Sequence, residues 1–490
     1  MASTWVTCTQ KVSMLLDDIL KKSPADQVKI FSVKKTLPDY ETLKKQWNPS
    51  EHDVFDPVIR PDKKIKKPIG QKDQEGKEIY IDGTEKVNRI GIPFQRIIVN
   101  RAVGFLLGNP VKIKKFTSNE SQEALATMVE KTLDDNKNIY FDRKLARSVM
   151  SQCEAAELWY LVEDPTFWKT RLEKNTAAKF KLRVKLLTPK DGDKLYPYFN
   201  EYDDLVAFSR EYVTLEGDKQ VLHFDTWTEN KIIKREKRED WTSIENENIL
   251  GKIPVIYYSQ EEPEWSLVQT MIDRYEAKIS SFGDTNDYFG SPMVKVTGKV
   301  KSLPGKTTSG KIIEMEEGGN ADYMAWTHAP ESEKIEFEIL EKMIYAMTQT
   351  PNISFEQMKA VGSALSGFAI KLMFTDAHLK AENKIEVFGE MFTRRLNLLK
   401  HILGTVINVK LSSEVDNLFI EPVFTPYLPK NTKEEIEILS LARMGKPLIS
   451  NETAIENNPL VSEVSEELER MKSDTEAEIE LQQREMTGTF

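Results

Sequence analysis

Cysteine is scarce. Cys8 and Cys153 are the only two in 490 residues, far apart in sequence. They are expected as free thiols in a reducing compartment rather than as a disulfide framework. Long apolar runs are also missing, since no stretch approaches the ~18 residues of a membrane span. The opening Met1-Ala2-Ser3-Thr4-Trp5 lacks a basic region followed by an apolar one, so no signal peptide is expected. The chain is therefore expected to be made and assembled in a cytoplasm, with no membrane partner. Positive charge is not in excess: 68 basic against 78 acidic residues give −10. Tight sequence-nonspecific gripping of DNA usually goes with a basic excess, so the whole chain is not expected to grip DNA, although local patches can touch it.

Catalytic signals are missing too. Gly305-Lys306-Thr307-Thr308-Ser309-Gly310-Lys311 has the spacing of a phosphate-binding loop, but Ile312 follows where Ser or Thr must hold Mg²⁺. The segment then runs into Gly318-Gly319 rather than into a helix whose N-terminus faces phosphate. His52, His223, His328, His378 and His401 show no metal-ligand spacing, and two distant cysteines cannot complete a zinc site. No nucleophile elbow occurs. The residues call for no enzyme, no cofactor and no metal.

The sequence has 40% apolar and 30% charged residues, which describes much solvated helix, and its length suggests roughly 2–4 domains. Residues 10–80 are charged and without period, and the basic run Lys63-Lys64-Ile65-Lys66-Lys67-Pro68 is expected to be a solvated loop. A helix is expected from Phe94 to Leu107, stopped by Gly108-Asn109-Pro110, and a helix pair at about 119–136 and 139–156. The period then changes to that of strands, and roughly 157–258 is expected as a β-rich module.

From Pro263 the apolar positions Val268, Met271, Ile272, Tyr275, Ile279 and Phe282 form one helical face. Residues 290–330 hold short β-like runs, and from Glu331 a second helix carries Phe337, Leu340, Ile344 and Met347 on one face. Two helices flanking a β insertion make a long hairpin with a decorated tip. Pro351-Asn352 then breaks the helix. A small-residue loop with Lys359, Gly362 and Gly367 leads into another long helix, and residues 430–490 read as an acidic helical tail.

Three blocks carry a resemblance. They are Ile97-Ile98-Val99-Asn100 with Gly104 to Val111; Gly251 to Ile256 leading to Asp284-Thr285-Asn286-Asp287-Tyr288-Phe289 and Pro292; and Thr350-Pro351-Asn352 through Ser366-Gly367-Phe368-Ala369-Ile370-Lys371. In order and spacing the chain resembles the portal proteins of tailed double-stranded-DNA bacteriophages. The resemblance implies a mainly helical α+β portal fold. Its wing would take residues 1–262, its stem helices 263–289 and 331–349, and its clip 290–330. A tunnel loop would take 350–364, a long helix returning to the wing 365–429, and a crown 430–490.

It further implies a homo-oligomeric ring, usually of twelve, at one capsid vertex of the virion. Double-stranded DNA would pass through its channel during packaging and ejection. The terminase large subunit and then head-completion or adaptor proteins would dock on the clip, and major capsid and scaffold proteins would surround the ring. The expected tunnel-loop residues are Asn352, Ser354, Gln357, Lys359 and Ser363, with Lys359 the candidate phosphate contact. Channel-facing stem residues are expected at Glu331, Glu333, Glu336 and Glu338, and partner docking at Lys295, Lys299, Lys301, Lys306 and Lys311. Two alternatives stay open: another virion structural protein, such as a minor capsid or scaffold component, and an enzyme acting on nucleic acid.

Overall fold

The computed structural model describes residues 16–32, 36–72, 74, 76, 78–169, 178–289, 293–298, 300–302, 314–315, 320–324, 330–352, 372, 374–427, 432–444, 447–461 and 464–487. The chain divides into one unit of Met1–Pro351 with Ala377–Pro426 and a second of Asn352–Asp376 with Tyr427–Phe490.

The first unit is built around a helix that is apolar on nearly every side. Phe94, Ile98, Val99, Val103, Phe105, Leu106 and Leu107 are all buried, the pattern of a helix enclosed by others. This is α4 (Phe94–Leu107), preceded by the short helices α1 (Leu16–Leu20), α2 (Pro24–Phe31) and α3 (Tyr40–Trp47) and the strands β1 (Lys63–Lys72) and β2 (Glu78–Glu85). Strand β3 (Lys112–Phe116) follows, then α5 (Glu120–Asp135) and α6 (Asn138–Gln152), whose Leu125, Val129, Leu145 and Val149 join the same core. Helix α6 stops four residues before the expected 156. Cys153 takes a left-handed φ of 65° there and strand begins at Glu154.

The β-rich module is two sheets. One has the order β11-β4-β5, from β4 (Glu154–Glu163), β5 (Phe180–Leu187) and β11 (Val255–Ser259). The other is an antiparallel meander of β6 (Lys194–Phe199), β7 (Leu205–Glu216), β8 (Lys219–Thr228), β9 (Lys231–Lys237) and β10 (Trp241–Glu247). Helices α1 and α2 cover the meander, with Ile19 and Phe31 packed on Tyr198, Ala207 and Phe224.

Residues 16–85 thus depart from the expected irregular segment. Short caps explain the helices: Asp39 accepts from Thr42 N at the start of α3, for example. The basic run from Lys63 is not a loop but the strand β1, paired antiparallel with β2 from Lys63 opposite Glu85 onward.

After β11 come α7 (Gln269–Phe289), β12 (Met293–Thr297), β13 (Val300–Ser302), β14 (Glu314–Met315), β15 (Asn320–Met324), α8 (Pro330–Met347) and the long α9 (Thr375–Ile402). Helix α7 begins later than Pro263, because a single 3-10 turn at Ser266–Val268 precedes it. Strand β16 (Phe419–Val423) pairs with β3. The second unit holds α10 (Thr432–Arg443), α11 (Asn451–Glu456) and α12 (Val464–Thr487). Ser450 caps α11 through Thr453 N at 3.1 Å, and Arg470 meets Glu466 one turn away on α12 at 3.1 Å. The fold class is α+β.

Candidate functional site

Helices α7 and α8 lie side by side because aromatic residues recur on their facing sides. Phe337 of α8 meets Tyr275 and Phe282 of α7 with ring centroids 5.4 and 6.0 Å apart. Phe94 of α4 anchors the same seam, 5.4 Å from Tyr275 and 6.0 Å from Tyr345. Val268, Ile272 and Ile344 are fully buried there. Met347, expected on the packed face, is exposed. It continues a stripe of exposed Ile335, Ile339 and Met343, one residue per turn.

The four glutamates expected to face a channel divide. Glu336 is held across the seam by Arg274 and Lys278, each at 3.0 Å. The Lys278 hydrogen bond, opposed by burial and helped by Arg274, holds its carboxyl below the usual carboxylate range. Glu333 is half-buried. Glu331 and Glu338 are exposed, and Glu338 lies 3.8 Å from Lys334.

Between the helices, β12 pairs with β15 and β13 with β14. Exposed Lys295 sits opposite Asp322 in the register, so at this point the lysine-bearing first half of the insertion lies across from its acidic second half. Lys301 is on β13, whereas Lys299, Lys306 and Lys311 lie outside the described residues.

The end of α8 is fixed with unusual thoroughness. Gln349 takes a left-handed φ of 51°, and Thr350 N reaches back to Tyr345 O at 2.9 Å. Lys380 of α9 donates to Thr348 O at 3.0 Å, and Arg101 of α4 donates to Pro351 O at 2.5 Å. Both cations complement the negative end of the helix dipole. Lys380 is itself placed by Glu264, at 2.8 Å, which also binds Lys384 at 2.5 Å. Burial alone would raise the Glu264 carboxyl, but the two ammonium groups hold it below its ordinary value. Burial pushes Lys380 down, and Glu264 only partly offsets this.

The arrangement is a rigid frame for the chain on either side of residues 352–376. Half-buried Asn352 begins that segment, and Ser354, Gln357, Lys359 and Ser363 lie outside the described residues. No group of three or more His, Cys, Asp or Glu side chains suited to a metal ion occurs among the described residues. Among them, too, no helix is long and apolar enough to cross a membrane.

Two helices with short strands between them, α7 and α8, follow the order expected from the periodicity of the sequence. The family described as phage portal protein, SPP1 Gp6-like, matches residues 28–481. The chain belongs to this family. Portal proteins are structural rather than enzymatic components of phage-type virions, and the α+β fold described above is the fold of one. Among solved structures, the portal chain is similar at 10% identity and a TM-score of 0.39 to a chain of the virion of the native gene transfer agent (GTA) particle. That similarity covers 74% of this chain and 86% of the other. A chain of the neck of the native GTA particle computed with C12 symmetry is similar at 9% identity and a TM-score of 0.39, covering 76% and 89%. No curated protein sequence matches the chain.

Two buried charge clusters of this portal protein escaped the sequence reading. One is the Glu264 clamp. The other centres on Arg395 of α9, which pairs with Glu157 of β4 and, at 2.8 Å, with Asp142 of α6. Tyr258 donates to Glu157 at 2.5 Å and Trp159 at 3.0 Å. Burial, with Glu157 nearby, raises the Asp142 carboxyl to about 6 despite the guanidinium. Lys380 and Lys384 stand one turn apart on α9, which was the only sequence signal; nothing marked Glu264 or Glu157 as their kind of partner.

Proposed function

We propose that copies of this portal protein close into a ring of twelve at one capsid vertex, and that double-stranded DNA is packaged and ejected through its channel. In this reading α7 and α8 are the stem (263–289 and 331–349), the β insertion at 290–330 is the clip, and 350–364 is the tunnel loop. Residues 1–262 and 365–429 make the wing, set among major capsid and scaffold proteins, and 430–490 the crown. The terminase large subunit docks on the clip lysines Lys295, Lys299, Lys301, Lys306 and Lys311, and head-completion or adaptor proteins later replace it. Assembly takes place in the host cytoplasm. The observation that carries the reading is the family match over residues 28–481.

The physics of the chain supports a conduit. Duplex DNA carries about one charge per 1.7 Å of its axis, so a uniformly basic wall would retain it. With Glu336 engaged across the seam and Glu333 half-buried, Glu331 and Glu338 are the two exposed members of the four glutamates expected to face a channel. The loop residues Asn352, Ser354, Gln357, Lys359 and Ser363 ring the narrow part, and one lysine per subunit gives a weak, salt-screened phosphate contact. The exposed stripe of α8 packs against the next subunit.

A packaging reaction with the cognate motor tests this. Lys359→Ala is expected to assemble normally and to change the amount of nuclease-protected DNA per head at least twofold. Heads that package normally without the chain would contradict the conduit; normal packaging by Lys359→Ala alone would remove only the lysine contact.

A further inference from the structure

The hairpin of β1 and β2 is a two-stranded sheet that no other described strand joins, and a lone hairpin is marginal in water. Residues on both of its faces are open: Tyr80 is 52% and its neighbour Ile81 is 53% exposed, on opposite sides of the strand. Its base, by contrast, is clamped to the end of α7. Arg60 meets Asp284 at 2.6 Å, Asn88 N donates to Asp284 at 2.7 Å, and the Asn88 side chain donates to Asp287 at 2.6 Å. Arg89 closes the two roots by binding Asp62 at 2.9 Å. So the arm is fixed at the C-terminal end of α7 while no other described strand joins it.

Charge is divided strand by strand. Strand β1 carries Lys63, Lys64, Lys66, Lys67 and Lys72 and no acid; β2 carries Glu78, Asp82 and Glu85 and no base. Lys63 lies 3.8 Å from Asp284, which leaves Lys64, Lys66, Lys67 and Lys72 as the other lysines of the strand. Among the described residues each strand is also an edge with no further strand beside it, and free edges recruit other strands.

We propose that this hairpin straps neighbouring subunits together, with the basic edge β1 of one copy lying antiparallel beside the acidic edge β2 of the next. The inference rests on the ring reading. Head-to-tail contacts join two different surfaces and close into rings, and this hairpin offers two different, complementary edges. A two-fold contact would instead set β1 on β1, lysine against lysine, which is unfavourable across strands. Rotation from copy to copy preserves strand direction, so β2 of the next copy runs antiparallel to β1, as β2 does within the chain. Twelve hairpins at ~4.8 Å per strand would make a circle of about 115 Å around, a size compatible with the narrow end of a conduit. DNA is a poorer occupant, because each lysine strand has three carboxylates on the strand beside it.

Two variants test the strap. Lys64→Glu with Lys66→Glu and Lys67→Glu makes both strands acidic; Glu78→Lys with Asp82→Lys makes both basic. By native mass spectrometry, each alone is expected to need at least tenfold more protein to form rings. An equal mixture, with one variant mass-tagged, is expected to recover rings holding both in equal number. Rings from each variant at the wild-type concentration, or a mixture that fails to recover them, would overturn the strap. A photo-crosslinker at Tyr80 in the otherwise unaltered chain gives a second measurement that does not depend on variant folding. Links from one copy's position 80 to another copy's β1 support the strap, and links confined to one chain overturn it. Wild-type chain that never forms rings would instead overturn the ring reading, and the strap with it.

Discussion

Glu264 shows how one residue sets the position of a segment it does not belong to. Its carboxylate is almost wholly buried and reaches two lysines of α9, one of which holds a terminal carbonyl of α8. Glu264→Gln removes the charge and leaves two ammonium groups facing each other, a loss of about 3–5 kcal/mol by analogy with broken buried pairs. The sign of its pH dependence follows from the depressed carboxyl. The contribution is fully present above the unfolded value and is lost as pH falls through the folded one. Urea unfolding of wild type and Glu264→Gln is expected to differ most near neutral pH, with the gap closing below about pH 4.5. A gap that stays constant down to pH 3 would contradict the assignment. At this scale the sequence was least legible. With 78 acidic residues in the chain, nothing in local pattern separates Glu264 or Glu157 from the many carboxylates that face water, because their partners are brought in by tertiary packing.

Elements were legible wherever burial imposed a strong period. The face Ile272, Tyr275 and Phe282 on α7, and Phe337 and Ile344 on α8, was readable because each helix packs one stripe against the other. The strands at 158–162, 181–187 and 208–213 were readable for the same reason, lying within β4, β5 and β7. Residues 16–85 were not. Their helices are under three turns long, too short for periodicity to stand out, and Lys63-Lys64-Ile65-Lys66-Lys67 forms a strand whose open faces need no apolar alternation. Met347 was assigned to the wrong face because the exposed stripe of α8 is as apolar as its buried one.

That second stripe yields a test. Ile335→Asp with Ile339→Asp changes side chains already exposed, so the isolated subunit is expected to melt within about 0.5 kcal/mol of wild type. Assembly, read by sedimentation, is expected to be lost. Loss of the fold itself would mean that the stripe packs within the chain, and unchanged assembly would mean that it faces solvent in the ring.

For the whole molecule, family membership is secure over residues 28–481, while the ring, the channel and the docking partners are the reading built on it. Several features converge on that reading. The stem hairpin has more apolar surface than its own packing covers, and a net charge of −10 suits a wall along which DNA must slide. The hairpin arm carries opposite charges on opposite edges. In that reading a head-to-tail ring would use all of them. The most direct measurement is native mass spectrometry of the purified chain, with negative-stain images of the same sample, at micromolar concentration over a range of salt. The account predicts closed rings with a central hole and a mass near twelve times 56.4 kDa. Monomers and dimers alone, at every salt concentration, would contradict it.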